Sequence, residues 1–272
     1  MAAGSFFRDR SALITGASSG IGRDVALGLS RMGARVALLA RRTAHLDQLK
    51  REIEAGGGEA LALGADVTHP DEVLASVDRM LEAFGAVDIL VNSAGVLIQG
   101  SVETMKPADL QRMMEVNLHG TLHTIQAVTP PMRARARGNI VNIASLAGRR
   151  GVPLLGGYCA TKFAVVGLTE ALRVELYGSG ITVSLIMPGV VDTPMIRQGE
   201  SGQDELAPGL LAMPPRWVTW AVIAAIAMGL LEVDVPPGAA LAEKVAALFP
   251  GFTDAAMAWG TEMLKWFSPK SG

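Results

Sequence analysis

Seven short apolar runs alternate with segments of helical periodicity between Ser11 and Val235, and this alternation leaves few folds open to the chain. The runs are SALIT, RVALLA, EALALGADV, VDILVN, GNIVNIAS, ITVSLIM and LEVDV. Between them lie stretches with helical spacing and punctuation: Gly33 ends one, Pro70 opens another and Gly85 closes it, and a long helix is predicted from about Pro107. Apolar strands separated by helices imply βαβ units, and a parallel sheet must be covered on both faces because its strands carry little polar surface. The pattern predicts an α/β fold: a Rossmann-type, doubly wound, seven-stranded parallel sheet with helices on both faces and a C-terminal helical extension. The chain is read as one domain over residues 1–272, with a core from about 8 to 236, a mobile substrate lid at about 194–215 and the extension at about 237–272. Half of the 272 residues are hydrophobic, enough for a large core.

Composition excludes several functions. Lys and Arg number 24 against 26 Asp and Glu, so no basic face for nucleic acid is expected. Cys159 is the sole cysteine, which rules out an internal disulfide and a thiolate metal cluster. His119 and His123 stand four apart on a helix but have no evident third ligand, and no metal is expected. The opening MAAGSFFRDRS has no apolar run of signal-peptide length, and the uncharged stretch Trp217–Leu231 falls short of a span of roughly 20 residues. It is read as a buried helix, and the location as cytoplasmic. Arg133, Arg135 and Arg137 are read as a solvated loop.

The glycine turn TGASSGIG, Thr15–Gly22, joins the first strand to the first helix. Gly16, Gly20 and Gly22 permit a tight turn and close approach of the backbone to a pyrophosphate. The following helix offers unpaired N–H groups and the positive end of its dipole. At the end of the second strand, where an acid would serve the ribose of NAD, the chain has LLARRT. Guanidinium groups pair with phosphate, so NADP(H) is predicted, with Arg41 as the main contact and Arg42 as the lesser. Tyr158 and Lys162 lie four apart on one helix face. An ammonium beside a phenol is expected to lower its pKa from ~10 and suit it to acid/base work.

Together these residues resemble the short-chain dehydrogenase/reductase (SDR) family over about Ser11–Val235. The motifs are TGASSGIG, Asp66-Val67, NSAG (Asn92–Gly95), VNLHG with Asn117, NIAS ending in Ser145, YCATK, and PGVVDTP (Pro188–Pro194). Ser93 departs from the pattern, standing where asparagine is commoner. The resemblance implies dinucleotide contacts from Ser18, Ser19, Ile21, Ala94, Gly95, Pro188 and Gly189, with Val191 and Thr193 at the nicotinamide carboxamide. It implies that Ser145 holds the substrate oxygen, that Lys162 binds the nicotinamide ribose, and that Asn117 anchors a water leading to Lys162. It also implies a homodimer or homotetramer. The implied activity is an NADP(H)-dependent oxidoreductase interconverting a carbonyl and a secondary alcohol, with Tyr158 as acid/base. A non-catalytic NADPH-binding sensor or scaffold, or an epimerase or dehydratase, are the alternatives.

Leu154 and Leu155, in GVPLLGG, and an apolar stretch including Met195, Leu206, Leu210, Leu211 and Met213 are read as substrate walls, so an apolar substrate is expected. The tail is read as two short helices split at Pro250-Gly251, the second with Phe252, Trp259, Met263 and Trp266 at helical spacing. Packing within the protein or between subunits is expected of it, rather than contact with a membrane surface.

Overall fold

The structure is a computed structural model and describes residues 6–198 and 212–267, without the side chains of 240–244 and 260–267. The strands are β1 (Ser11–Thr15), β2 (Arg35–Ala40), β3 (Ala60–Gly64), β4 (Ile89–Asn92), β5 (Gly138–Ile143), β6 (Ile181–Pro188) and β7 (Glu232–Val235). All are parallel, in the order β3-β2-β1-β4-β5-β6-β7. The order reverses between β1 and β4, and in such sheets ligands bind in the crevice beyond the strand ends at that point.

The strands alternate between two apolar layers. Ala12, Ile14, Val36, Leu38, Ile89 and Val91 join one, with helices α1 (Gly20–Arg31), α2 (Thr43–Ala55) and, further along, Pro215–Met228. Leu13, Ala37, Leu39, Leu90 and Ile140 join the other, with α3 (Pro70–Phe84) and residues 120–134 and 168–176. The remaining helices are α4 (Pro107–Met114), α5 (Gly120–Ala134), α6 (Gly156–Glu175), α7 (Pro194–Gln198), α8 (Pro215–Met228), α9 (Ala239–Leu248) and α10 (Pro250–Phe267). The helix expected from Pro107 is interrupted: Glu115–His119 forms a π turn between α4 and α5, with Asn117 at its middle.

Three sequence expectations change. The Trp217 segment is half buried rather than buried: Val218, Val222 and Ile226 face the core, while Trp217 and Trp220 are exposed. Among the described residues no helix is long and apolar enough to cross a membrane. Arg135 and Arg137 are not merely solvated. They approach the Asp88 carboxylate at 3.0 and 3.7 Å, and Asp88 also accepts from the Ser11 backbone N–H at 3.0 Å. Burial pushes the Asp88 carboxyl upward, but the Ser11 bond and Arg135 outweigh it and hold it below the ordinary carboxylate range. The second tail helix is not short but runs for 18 residues, and its Phe252 and Trp259 are exposed on this chain. The expected lid residues Leu206, Leu210 and Leu211 lie outside the described residues.

Candidate active site

The glycine turn is closed so tightly that side chains are excluded. Gly16 has φ +66°, and a Cβ there would lie 2.9 Å from the backbone of Ser93 and Ala94. A Cβ on Gly22 would lie 2.6 Å from the Gly16 carbonyl oxygen. Thr15 Oγ1 accepts from the backbone N–H groups of Ser93 and Ala94, each at 3.0 Å, and so ties the turn to the NSAG segment. Ser19 precedes α1 in extended conformation with no capping bond from its side chain. The hydroxyl of Ser19 accepts from Arg42 Nη2 at 2.7 Å, and that of Ser18 from the same nitrogen at 2.9 Å. Arg42, expected as the lesser contact, is the arginine bonded into the turn. Arg41 stands 3.6 Å from Asp66. Burial favours the neutral Asp66 carboxyl, but bonds from Thr68 and the charge of Arg41 hold it below its ordinary value.

One cleft gathers most of the predicted positions. It is lined by Gly16, Ser18, Ser19, Gly20, Ile21, Arg41, Arg42, Asp66, Val67, Ala94, Gly95, Tyr158, Lys162 and Thr193. Sequence reasoning did not name Val96 and Leu97, which also line it; they directly follow NSAG, and that adjacency was the one signal available, while Ile143, Ala144 and Pro194 line it from within NIAS and PGVVDTP. Gly22 forms the floor of the turn behind the cleft. Asn92 also lies behind: it is buried, donates to Asn142 Oδ1 at 2.9 Å and accepts from Thr124 Oγ1 at 2.6 Å. Pro188, Gly189 and Val191 are near rather than in its lining; Gly189 N donates to Val235 O at 2.8 Å.

Asn117 is 1 % exposed, and its amide is fully engaged. Oδ1 accepts from Val96 N at 2.7 Å, and Nδ2 donates to Val96 O and to Thr161 Oγ1. The π turn thus pins the strand-end loop to α6 one residue before Lys162.

Ser145 follows β5, and its Oγ accepts from Ala147 N at 3.1 Å and contacts Pro188 O at 3.3 Å. It also hydrogen-bonds the Tyr158 phenol. Lys162 Nζ is 5.6 Å from the centre of the Tyr158 ring and donates to Ile143 O at 3.0 Å. The expected depression of the phenol does not occur. Burial pushes Tyr158 up to about 12, only partly offset by the Ser145 bond, and Cys159 adds to the rise. Burial also brings Lys162 down to about 8. Burial disfavours the charged form of each group, which raises the phenol and lowers the ammonium. The phenol is therefore protonated at neutral pH, the form that donates.

Leu154 is half-exposed at φ +65°, and Leu155 bridges to Gly100; neither lines the cleft. Cys159 is buried with its thiol pushed upward by burial. His119 pairs with Glu115 and His123 with Val67 O.

A crevice at the switch point, lined by the glycine turn, a phenol and an ammonium, with the Ser145 hydroxyl beside the phenol though not in the lining, suits a nucleotide-dependent enzyme of the Rossmann class. Residues 10–204 match the short chain dehydrogenase family, and the chain belongs to that family. A 3-oxoacyl-(acyl-carrier-protein) reductase of Staphylococcus epidermidis is 39% identical over 188 residues, covering 69% of this chain and 77% of that protein. The corresponding reductase of Staphylococcus aureus is 37% identical over 207 residues, covering 76% of this chain and 83% of its own. Among solved structures, a 3-ketoacyl-(acyl-carrier-protein) reductase from Brucella melitensis complexed with NADH superposes with a TM-score of 0.74 at 29% identity, covering 84% of this chain and 97% of that one. A metagenomic short-chain oxidoreductase in complex with NADP gives 0.71 at 36% identity, covering 84% of this chain and 96% of the other. The protein is thus an enzyme acting on CH–OH or C=O groups.

Proposed function

We propose that the enzyme is an NADP(H)-dependent oxidoreductase that interconverts an apolar ketone and its secondary alcohol. The observation that carries this reading is the opening of Tyr158 and Lys162 onto the same cleft as the glycine turn, with Arg42 already bonded to the turn's two serines. The residues fit the cofactor: Gly16, Ser18, Ser19 and Gly20 of the turn line the cleft at the start of α1, where backbone N–H groups suit a pyrophosphate, and Arg41 and Arg42 line the same cleft and supply cations for a 2′-phosphate. Bound there, the nicotinamide ring supplies or takes the hydride.

Ser145 holds the substrate oxygen beside the phenol. Tyr158, protonated at neutral pH, delivers its proton to that oxygen in reduction and receives it in oxidation. Lys162, at about 8, is the group of the cluster that titrates nearest neutrality and stands one helical turn from Tyr158, so it supports the proton's return. Asn117 keeps the Thr161–Lys162 segment in register. The 3-oxoacyl reductases among the relatives support a ketone with an apolar chain as the substrate. The enzyme is read as a cytoplasmic homodimer or homotetramer.

The test is a panel of 3-oxo esters, cyclic ketones and sugars with NADPH and NADH, comparing the parent with Tyr158→Phe. The variant is expected to lose about 10²–10⁴ in kcat, the usual worth of a positioned acid, while binding NADPH normally. Equal turnover by parent and variant, or activity without net NADPH consumption, overturns the assignment.

A further inference from the structure

Arg149 and Arg150 lie on the connection from Ser145 to Tyr158, and they turn to different partners. Arg149 pairs with Glu232 and lies 3.3 Å from Asp234, both on β7. Arg150 Nη2 donates to Thr253 Oγ1 and to Asp254 Oδ1, each at 2.6 Å, and its Nε reaches Met257 Sδ at 3.2 Å. Thr253, Asp254 and Met257 share one side of α10. Phe252 and Trp259, seven residues apart, fall on the opposite side and are exposed. The tail helix is therefore held to the body through its polar side.

The connection it grips is not relaxed. Leu154 is a non-glycine residue at φ +65° with half its surface exposed. Such a conformation persists only where its surroundings impose it. Gly100 N donates to Leu154 O at 2.9 Å, and Val152 N donates to Cys159 Sγ at 3.3 Å. Arg149 and Arg150 add ties to two C-terminal elements.

We propose that Arg150 is a positioning residue of the substrate site: by latching α10 to the connection that leaves Ser145 and enters the Tyr158 helix it fixes that strained loop, and thereby the size of ketone admitted beside those two side chains. This rests on the functional reading above. Tyr158 and Lys162 ride on α6, whose Cys159 and Val165 are buried in the body, and Arg150 does not line the dinucleotide cleft. Releasing the latch therefore alters recognition of the carbonyl substrate and leaves the proton donor and cofactor binding in place.

The experiment compares the parent with Arg150→Met, Arg150→Lys and the exchange R150D/D254R. Readouts are hydrogen exchange of residues 250–258, KM and kcat for a short-chain and a long-chain 3-oxo ester, and the Kd for NADPH. For Arg150→Met, faster exchange is expected in the first turns of α10. KM for the long ester rises about five- to tenfold relative to the short one, the scale of a multiply bonded but partly exposed pair. kcat and the NADPH Kd stay within about twofold. Arg150→Lys retains part of the effect, and the exchange variant recovers most of it. Unchanged hydrogen exchange, or a KM rise equal for both esters and accompanied by lost NADPH binding, overturns the proposal. Should the parent bind NADPH yet reduce neither ester, the functional reading fails, and the hydrogen-exchange comparison, which needs no turnover, still decides whether the latch exists.

Discussion

Lys162→Met is expected to make the protein more stable while abolishing its activity. Lys162 is 6 % exposed, and burial lowers its pKa from 10.5 to about 8. At ~1.4 kcal/mol per pH unit, that difference corresponds to ~3 kcal/mol spent at neutral pH on keeping the ammonium charged in the fold. Methionine preserves most of the stem and removes the charge. It also removes the donor to Ile143 O, which returns ~1 kcal/mol of the gain. The net expectation is ~2 kcal/mol, or a rise in Tm of about 5 °C for a chain of this size. The pH dependence has a definite sign. Between about 8 and 10.5 the unfolded chain holds the lysine proton and the folded one does not, so the stability of the parent climbs with pH across that window. The variant has no such group. The gap between the two is therefore full below about pH 8 and closes toward 10.5. Urea or thermal melts of both proteins without added cofactor, near neutrality and near the top of that window, measure it. A variant that melts below its parent at neutral pH, or a gap that does not narrow as pH rises, refutes the reasoning.

Gly22→Ala drives a methyl group to 2.6 Å from a backbone carbonyl that has no free rotamer, so the turn must open. About 1–3 kcal/mol of stability is expected to be lost, and NADPH is expected to give no thermal shift. Arg42→Ala removes the guanidinium bonded to Ser18 and Ser19. Because that group is exposed, about a tenfold loss in the preference for NADPH over NADH is expected in kcat/KM.

The strands were legible because a sheet buried on both faces demands uninterrupted apolar residues, and β1 and β2 fall where the apolar runs SALIT and RVALLA lie. The glycine turn was legible for a related reason: its residues are dictated by sterics within one short segment. What stayed hidden depends on distant contacts. Nothing local in RARARG reveals that Asp88 lies waiting for Arg135 and Arg137. The i,i+4 spacing of Tyr158 and Lys162 gives their proximity but not how far they are taken out of water, and burial decides the sign of the phenol's shift. The π turn at Glu115–His119 is an extra residue in a helical rhythm that apolar periodicity tolerates without a mark. The grip of Arg150 on Thr253 and Asp254 spans about a hundred residues and has no pattern to announce it.

The buried amide of Asn92 faces that of Asn142 in the pairing of β4 with β5, and Thr124 and Thr169 complete the chain from α5 to α6. Neighbouring strands such as ILVN and GNIVNI are greasy along nearly their whole length, so hydrophobicity by itself would accept them slid past one another by a step. A slide would strand two carboxamides in a waterless interior, away from each other and from the hydroxyls of Thr124 and Thr169. The four side chains act as a key that turns in only one position, and since Asn92 leads directly into Ser93–Gly95 and β5 into Ser145, the same key aligns the two halves of the crevice with each other.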